Sequence, residues 1–284
     1  MNFADQLERI VKSRIEKDSL TLPTLAAVAF KAIELTRTAD FNMQAATSLI
    51  EKDPVLAVQV LRLSKTATVA THQPCNTISQ AIARLGAKNL RGVLVEISSR
   101  RALESRDSKV MEAVKTLWEH SRAVAQLAQR VAVVSGASDP DTAYLAGLLH
   151  DLGKPVVATI LLEAESQIAQ RNPKLWIDFA TWIDVVQRCH RPIGLDLARK
   201  WQLPDEIQKA IEECGDYDPA NRLSTGNAVR FANAVVKQQG LYTGSVSAQD
   251  NDALIMIGRS LLGIDDDTLT RLSSDLKEIA REAA

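Results

Sequence analysis

Residues 143–155 read AYLAGLLHDLGKP. Asp139-Pro140 opens this stretch as an N-cap followed by proline at the first helical position, so a helix runs toward His150 and Asp151. Gly153 is expected to cap the end of that helix, and Pro155 to open the next. Adjacent residues on a helix point about a quarter turn or more apart. At a helix end, however, a histidine and an aspartate can still reach one ion from neighbouring directions.

The signals around this stretch are also helical. Ala113, Leu117, His120, Val124, Leu127 and Val131 alternate steps of four and three, one apolar stripe of a helix. Leu269, Leu272, Leu276 and Ile279 do the same near the C-terminus. Asp53-Pro54 repeats the Asp-Pro start, and Thr77 with Gln80 matches a capping box. Gly86 ends the helix that Thr77 begins, and another starts near Lys88. The best strand candidate, GVLVEISS from Gly92, has a lead-in that suits a helix. The fold class expected is all-α. Polar, turn-rich stretches divide the chain into an N-terminal helical bundle (1–105), a second helical block (106–240) and a C-terminal helical pair (241–284).

Composition bounds the function. The chain has 284 residues, 46% of them hydrophobic and only 4% aromatic, so its core rests on aliphatic side chains. With 34 basic against 35 acidic residues the net charge is −1, which offers no broad surface for nucleic acid. The segment ISQAIARLGAKNLRGVLVE could form a helix-turn-helix, but it reads better as an ordinary pair of packed helices. Cys75, Cys189 and Cys214 are an odd set without Cys-x-x-Cys spacing, which fits a reducing cytoplasm. No signal peptide and no membrane span are expected.

Four histidines carry the chemical signal: His72, His120, His150 and His190. His72 sits in a turn-like segment and reads as solvated. His120 lies on an apolar stripe, where an unpartnered imidazole costs about 1–3 kcal/mol. It needs a hydrogen bond within the core or a ligand. A divalent ion such as zinc, manganese or iron is one such ligand. Cys189-His190 is no catalytic dyad, because neighbours on a helix do not face each other. Trp201 reads as core.

The ordered blocks resemble a known family. LPTLAAVAFKAIEL from Leu22, IEKDPVLAVQVLRLSKTA from Ile50 and ISQAIARLGAKNLRGVLV from Ile78 come first. LWEHSRAVAQLA, AYLAGLLHDLGKPVV, HRPIGLDLARKWQLPDEIQKAI and AVRFANAVV follow. Together they resemble the HDOD domain, a regulatory branch of the HD and HD-GYP phosphohydrolase superfamily, over roughly Leu20 to Gly240. The resemblance implies an HD-like helical core in the second block. In catalytic HD enzymes a first His, the His-Asp pair and a distant Asp hold the metal. His120, His150 and Asp151 match the first three, and Asn233 stands in place of the distant Asp. His190 matches the first additional histidine of HD-GYP enzymes, and Lys154 matches their lysine. Glu213 and Cys214 replace their paired histidines, and the GYP motif is absent.

The resemblance therefore implies a non-catalytic signal-transduction module of the bacterial cytoplasm. It would bind a signalling protein or a small ligand, without nucleic acid or membrane. No cofactor is expected beyond a possible divalent metal at His120, His150, Asp151 and His190. The alternative is a divergent metal-dependent phosphohydrolase acting on phosphoesters or cyclic dinucleotides.

Overall fold

A computed structural model describes residues 9–10, 13, 27–36, 41–64, 77–102, 108–171, 178–201, 203–242 and 246–283. His72 and Cys75 lie outside them. The described residues are helical, with no strand among them, so the all-α expectation holds. GVLVEISS is helical too.

The chain divides into two compact units. One is Pro23–Glu104. It contains α1 (Ala27–Leu35), α2 (Met43–Ile50), α3 (Pro54–Leu63) and α4 (Ile78–Ala102). The first three pack on α4. Thr77 and Gln80 cap α4 reciprocally, each backbone N–H donating to the other's side chain at 3.2 Å. The Asp53 carboxylate caps α3 by accepting from the Leu56 N–H at 3.1 Å. Gly86 breaks α4 with φ 71°, a left-handed conformation that favours glycine. Ile50, Leu56, Val60, Ile82, Leu90 and Leu94 fill the core. Arg91 ties α4 to the end of α1, donating to the Thr36 hydroxyl at 3.1 Å and to the Thr36 carbonyl.

The other unit includes Ser105–Ala284. Its helices are α5 (Ser108–Ser135), α6 (Pro140–Leu149), α7 (Lys154–Arg171), α8 (Phe179–Lys200), α9 (Asp205–Glu213), α10 (Thr225–Gln238), α11 (Ala248–Leu262) and α12 (Asp266–Ala283). Helix α5 is the centre, with α6, α7, α10 and α12 against it. His120, Val124, Leu127 and Val131 of its stripe are buried. Trp201 is also core. Pro140–Ser166 is apolar and long enough to cross a membrane by composition, yet 83% of the apolar window is buried inside the unit. The stretch is also two helices, α6 and α7, parted by the turn at 150–153.

Candidate functional site

Two glycines flanking the His-Asp pair bring the site together. Asp139 caps α6 by accepting from the Thr142 N–H, and Pro140 starts the helix. At Gly147 a Cβ would lie 2.8 Å from the Ala125 Cα, so α6 touches α5 backbone to backbone. That contact lies near His120. At Gly153 a Cβ would lie 1.9 Å from the His190 carbonyl oxygen and 2.7 Å from the Gly194 nitrogen. The turn after His150-Asp151 thus rests directly on the α8 backbone beside His190.

This corrects the expectation for Gly153. It is not among the glycines with positive φ, and the C-cap of α6 is His150 in right-handed geometry. Glycine is needed at 153 for close approach, not for a left-handed cap.

The four expected residues meet at the Asp151 carboxylate. Lys154 Nζ lies 2.5 Å from its Oδ2. His150 Nε2 is 3.3 Å and His120 Nε2 3.7 Å from the same oxygen. His190 Nε2 approaches the other oxygen, Oδ1, at 3.2 Å. Asp151 and the three histidines are each 2–3% exposed. Ligand atoms of His120, His150 and Asp151 lie within 4.8 Å of one another, a cluster that does not include His190. Asn233 stands on α10 with its Oδ1 buried and lacking a hydrogen-bond partner.

Each imidazole is oriented from behind. His120 Nδ1 donates to the Leu241 carbonyl at 2.7 Å, and His150 Nδ1 to the Gly147 carbonyl at 2.7 Å. His190 Nδ1 donates to the Gln187 carbonyl at 2.9 Å. In the neutral ring each Nε2 is then a lone pair, and those of His120 and His150 are buried without a hydrogen-bond partner. Burial lowers the His120 pKa from 6.5 to about 3, against the pull of Asp151, and burial also lowers that of His190. Burial alone raises Asp151, but His150 and the Lys154 ammonium outweigh it and hold the carboxyl well below the usual range.

Imidazoles backed by carbonyls, facing one carboxylate, form a donor set that in its neutral-ring form suits a divalent ion. His120, His150 and Asp151 could hold one, with His190 beside them. Lys154 is the competing cation.

At His120 the unfolded chain takes up a proton near pH 6.5 that the folded site refuses until about pH 3. Stability is therefore complete above pH 6.5 and falls as pH drops toward 3. Urea unfolding midpoints measured from neutral to mildly acidic pH should decline, and His120→Gln should flatten the decline.

The sequence reading missed the residues that cover the cluster. The Tyr242 ring lies 5.5 Å from the His120 ring, edge-on, and the Gln187 side-chain amide donates to its hydroxyl. Lys237 Nζ lies 4.5 Å and Lys154 Nζ 5.2 Å from the Tyr242 ring centroid. Burial lowers Lys237 to about 8, and Lys154, Arg191 and Arg230 add to the shift against Asp151. Burial and Asp151 push Tyr242 up to about 12. One signal was available, since Lys237 follows Asn233 by one helical turn on the same face. Cys189 and Cys214 are both buried, and burial pushes the Cys214 thiol up to about 11, so Cys214 is not an activated nucleophile.

An all-helical chain with a first histidine, a His-Asp pair at a helix end and a further histidine on a later helix defines an HD-type protein. The chain belongs to the HDOD domain family, whose model matches residues 22–217. The solved "Putative metal-dependent phosphohydrolase" of Shewanella amazonensis SB2B is similar over 100% of both chains, with TM-score 0.77 and 19% identity. An HDOD domain protein with unknown function from Geobacter sulfurreducens is similar over 98% of this chain and 96% of its own, with TM-score 0.67 and 21% identity. These likenesses carry the fold. An uncharacterized protein of Treponema pallidum (strain Nichols) is 28% identical over 240 residues, or 82% of this chain. This chain spans 44% of that relative's length.

Proposed function

We propose that this protein is a non-catalytic HDOD module of bacterial signal transduction, which works by binding a partner protein or a small ligand. The observation that carries the reading is the commitment of Asp151 to Lys154. Asp151 is the one carboxylate in the cluster formed by the described residues, and an ammonium lies 2.5 Å from it. A hydrolytic ion needs ligand charge to bind tightly and an open position for water. Here the distant carboxylate is replaced by Asn233, an uncharged and weaker ligand. Glu213 and Cys214 stand where further histidines would extend the site. A similar fold in Marinobacter aquaeolei VT8, with TM-score 0.63 and 21% identity over 99% of this chain and 65% of its own, is described as a "Putative signal transduction protein", which accords with this reading.

The second reading, a divergent metal-dependent phosphohydrolase, is favoured by the unpartnered Nε2 atoms of His120 and His150. A bound ion would supply Lewis acidity toward water or a phosphoryl oxygen. The assay that decides is hydrolysis of bis(p-nitrophenyl) phosphate and of cyclic dinucleotides with added manganese, iron(II) or nickel. The module predicts wild-type turnover equal to that of His150→Ala and Asp151→Ala. Metal-dependent turnover lost in both variants contradicts it.

A further inference from the structure

We infer that α11 is the face through which two copies of this chain pair, antiparallel about a twofold axis between Met256 and Ile257. The inference goes beyond the reading of the His-Asp cluster and does not rest on it.

Helix α11 is held from one side. Its Asn251, Ile255, Gly258 and Leu262 are buried. The Asn251 side-chain amide donates to the Ala234 carbonyl at 2.9 Å, and the Tyr217 hydroxyl to the Leu254 carbonyl at 2.8 Å. At Gly258 a Cβ would lie 2.7 Å from Phe231 Cδ2, so α11 packs closely on α10. The opposite side carries Ala253, Met256, Ile257 and Ser260, all exposed. Their i, i+3, i+4, i+7 spacing is that of a helix-packing stripe. Met256 is 67% and Ile257 44% exposed.

The apolar surface continues beyond the helix. The Arg222 guanidinium donates to the Ser260 and Leu261 carbonyls at 2.8 and 3.2 Å, which seats the exposed Leu223 beside the end of α11. The Leu223 carbonyl accepts from the Ser138 N–H at 3.3 Å, next to the exposed Val133 and Val134 at the end of α5. Exposed apolar side chains gathered on one face mark an interaction surface.

The pattern along α11 selects a second copy as the occupant. A twofold interface must be complementary to itself. About this axis the bulky Met256 and Ile257 meet at the centre, and Ala253 lies opposite Ser260 of the partner subunit. Small residues on both sides of the centre let the two helices approach closely. A shallow groove of about 410 Å³ lined by Met256, Ser260, Gly263 and Ile264 can take the methionine of the other copy.

The charges agree. Asp250 and Asp252 lie at the start of α11, and Arg222 and Arg259 at its far end. Among the described residues no ion pair engages Asp250, Asp252 or Arg222, and Arg259 has the 89% exposed Asp266 at 2.6 Å. Antiparallel pairing sets each acidic start against the basic end of the other copy, whereas parallel pairing sets like against like. An anionic membrane would meet Asp250 and Asp252, so a lipid surface fits poorly.

The test is sedimentation equilibrium of the full chain at about 1–100 μM, the range that resolves micromolar pairing. Wild type should approach twice the chain mass as concentration rises. Met256→Lys and Ile257→Glu should each weaken pairing roughly tenfold or more. Their helical circular dichroism and Tm should stay near wild type, because both side chains face solvent in the single chain. Val58→Lys, at a 64% exposed position in the other unit, should pair as wild type does. Arg222→Glu and Asp250→Lys should each weaken pairing about fivefold or more. Mixed in equal amounts, these two should form a heterodimer close to wild-type strength, because every changed charge then meets its opposite.

A wild-type chain that stays at monomer mass throughout overturns the inference and leaves the face to a different protein. A dimer unmoved by Met256→Lys also overturns it, since the contact then lies elsewhere. So does a mass that grows past the dimer, because a twofold contact closes on itself. Failure of the two charge variants to pair when mixed contradicts the antiparallel register and overturns it as well.

Discussion

Gly153→Ala should destabilise the second unit by about 3 kcal/mol or more, a shift read directly from urea unfolding midpoints. Overpacking a core typically costs ~1–3 kcal/mol when flexible side chains can give way. Here the obstacle is backbone. The new Cβ would fall 1.9 Å from the His190 carbonyl oxygen, with the Gly194 nitrogen at 2.7 Å. The turn at 150–153 and helix α8 must separate, which pulls His190 off the Asp151 carboxylate. Gly136→Ala is the control. Gly136 has φ 65° and nothing within 4 Å of an added Cβ, so its cost is conformational, about 1–2 kcal/mol. If Gly153→Ala is as stable as wild type, α8 does not rest on the His-Asp turn and the geometry of the site is wrong.

Asp151→Ala should cost about 3–5 kcal/mol, the usual penalty for removing one partner of a buried ion pair. It strands the Lys154 ammonium and leaves the cations around Tyr242 without their buried counter-charge. The double variant Asp151→Ala with Lys154→Met should recover much of the loss, since deleting both partners is far less costly. Equal instability of the single and double variants contradicts the pairing. The pH dependence follows from the depressed Asp151 carboxyl. Its stabilisation is present above the ordinary value of 3.8 and is lost as pH falls through the lower folded value. The acid limb of a stability curve should therefore be shallower in Asp151→Ala.

Local chemistry made the fold legible. The Asp53, Thr77 and Asp139 caps, the Gly86 break and the α5 stripe are all short-range signals, and the structure bears them out. His120, His150, Asp151 and His190 were legible through motif resemblance, and they do converge. The lid of the cluster was not. Tyr242 and Leu241 follow Gly240, where the sequence turns polar, and nothing local marks a tyrosine that will face a histidine more than a hundred residues earlier. Lys237 reads as an ordinary basic residue at a helix end, a common surface feature. Its burial is a product of tertiary packing. Gly153 was misread for the same reason. A glycine after a helix suits a left-handed cap, and only the position of α8 shows that it serves close approach instead.

The Lys154 ammonium, 2.5 Å from the Asp151 carboxylate, competes there with any hydrolytic ion. Equilibrium dialysis of wild type and Lys154→Met against cobalt(II) or manganese(II), with bound metal counted per chain, tests it most directly. Weak, readily dialysed metal is expected on wild type and binding at least ~10-fold tighter on Lys154→Met, because removing the ammonium frees a carboxylate for the ion. One ion per wild-type chain retained through dialysis against chelator, with no gain in Lys154→Met, contradicts it.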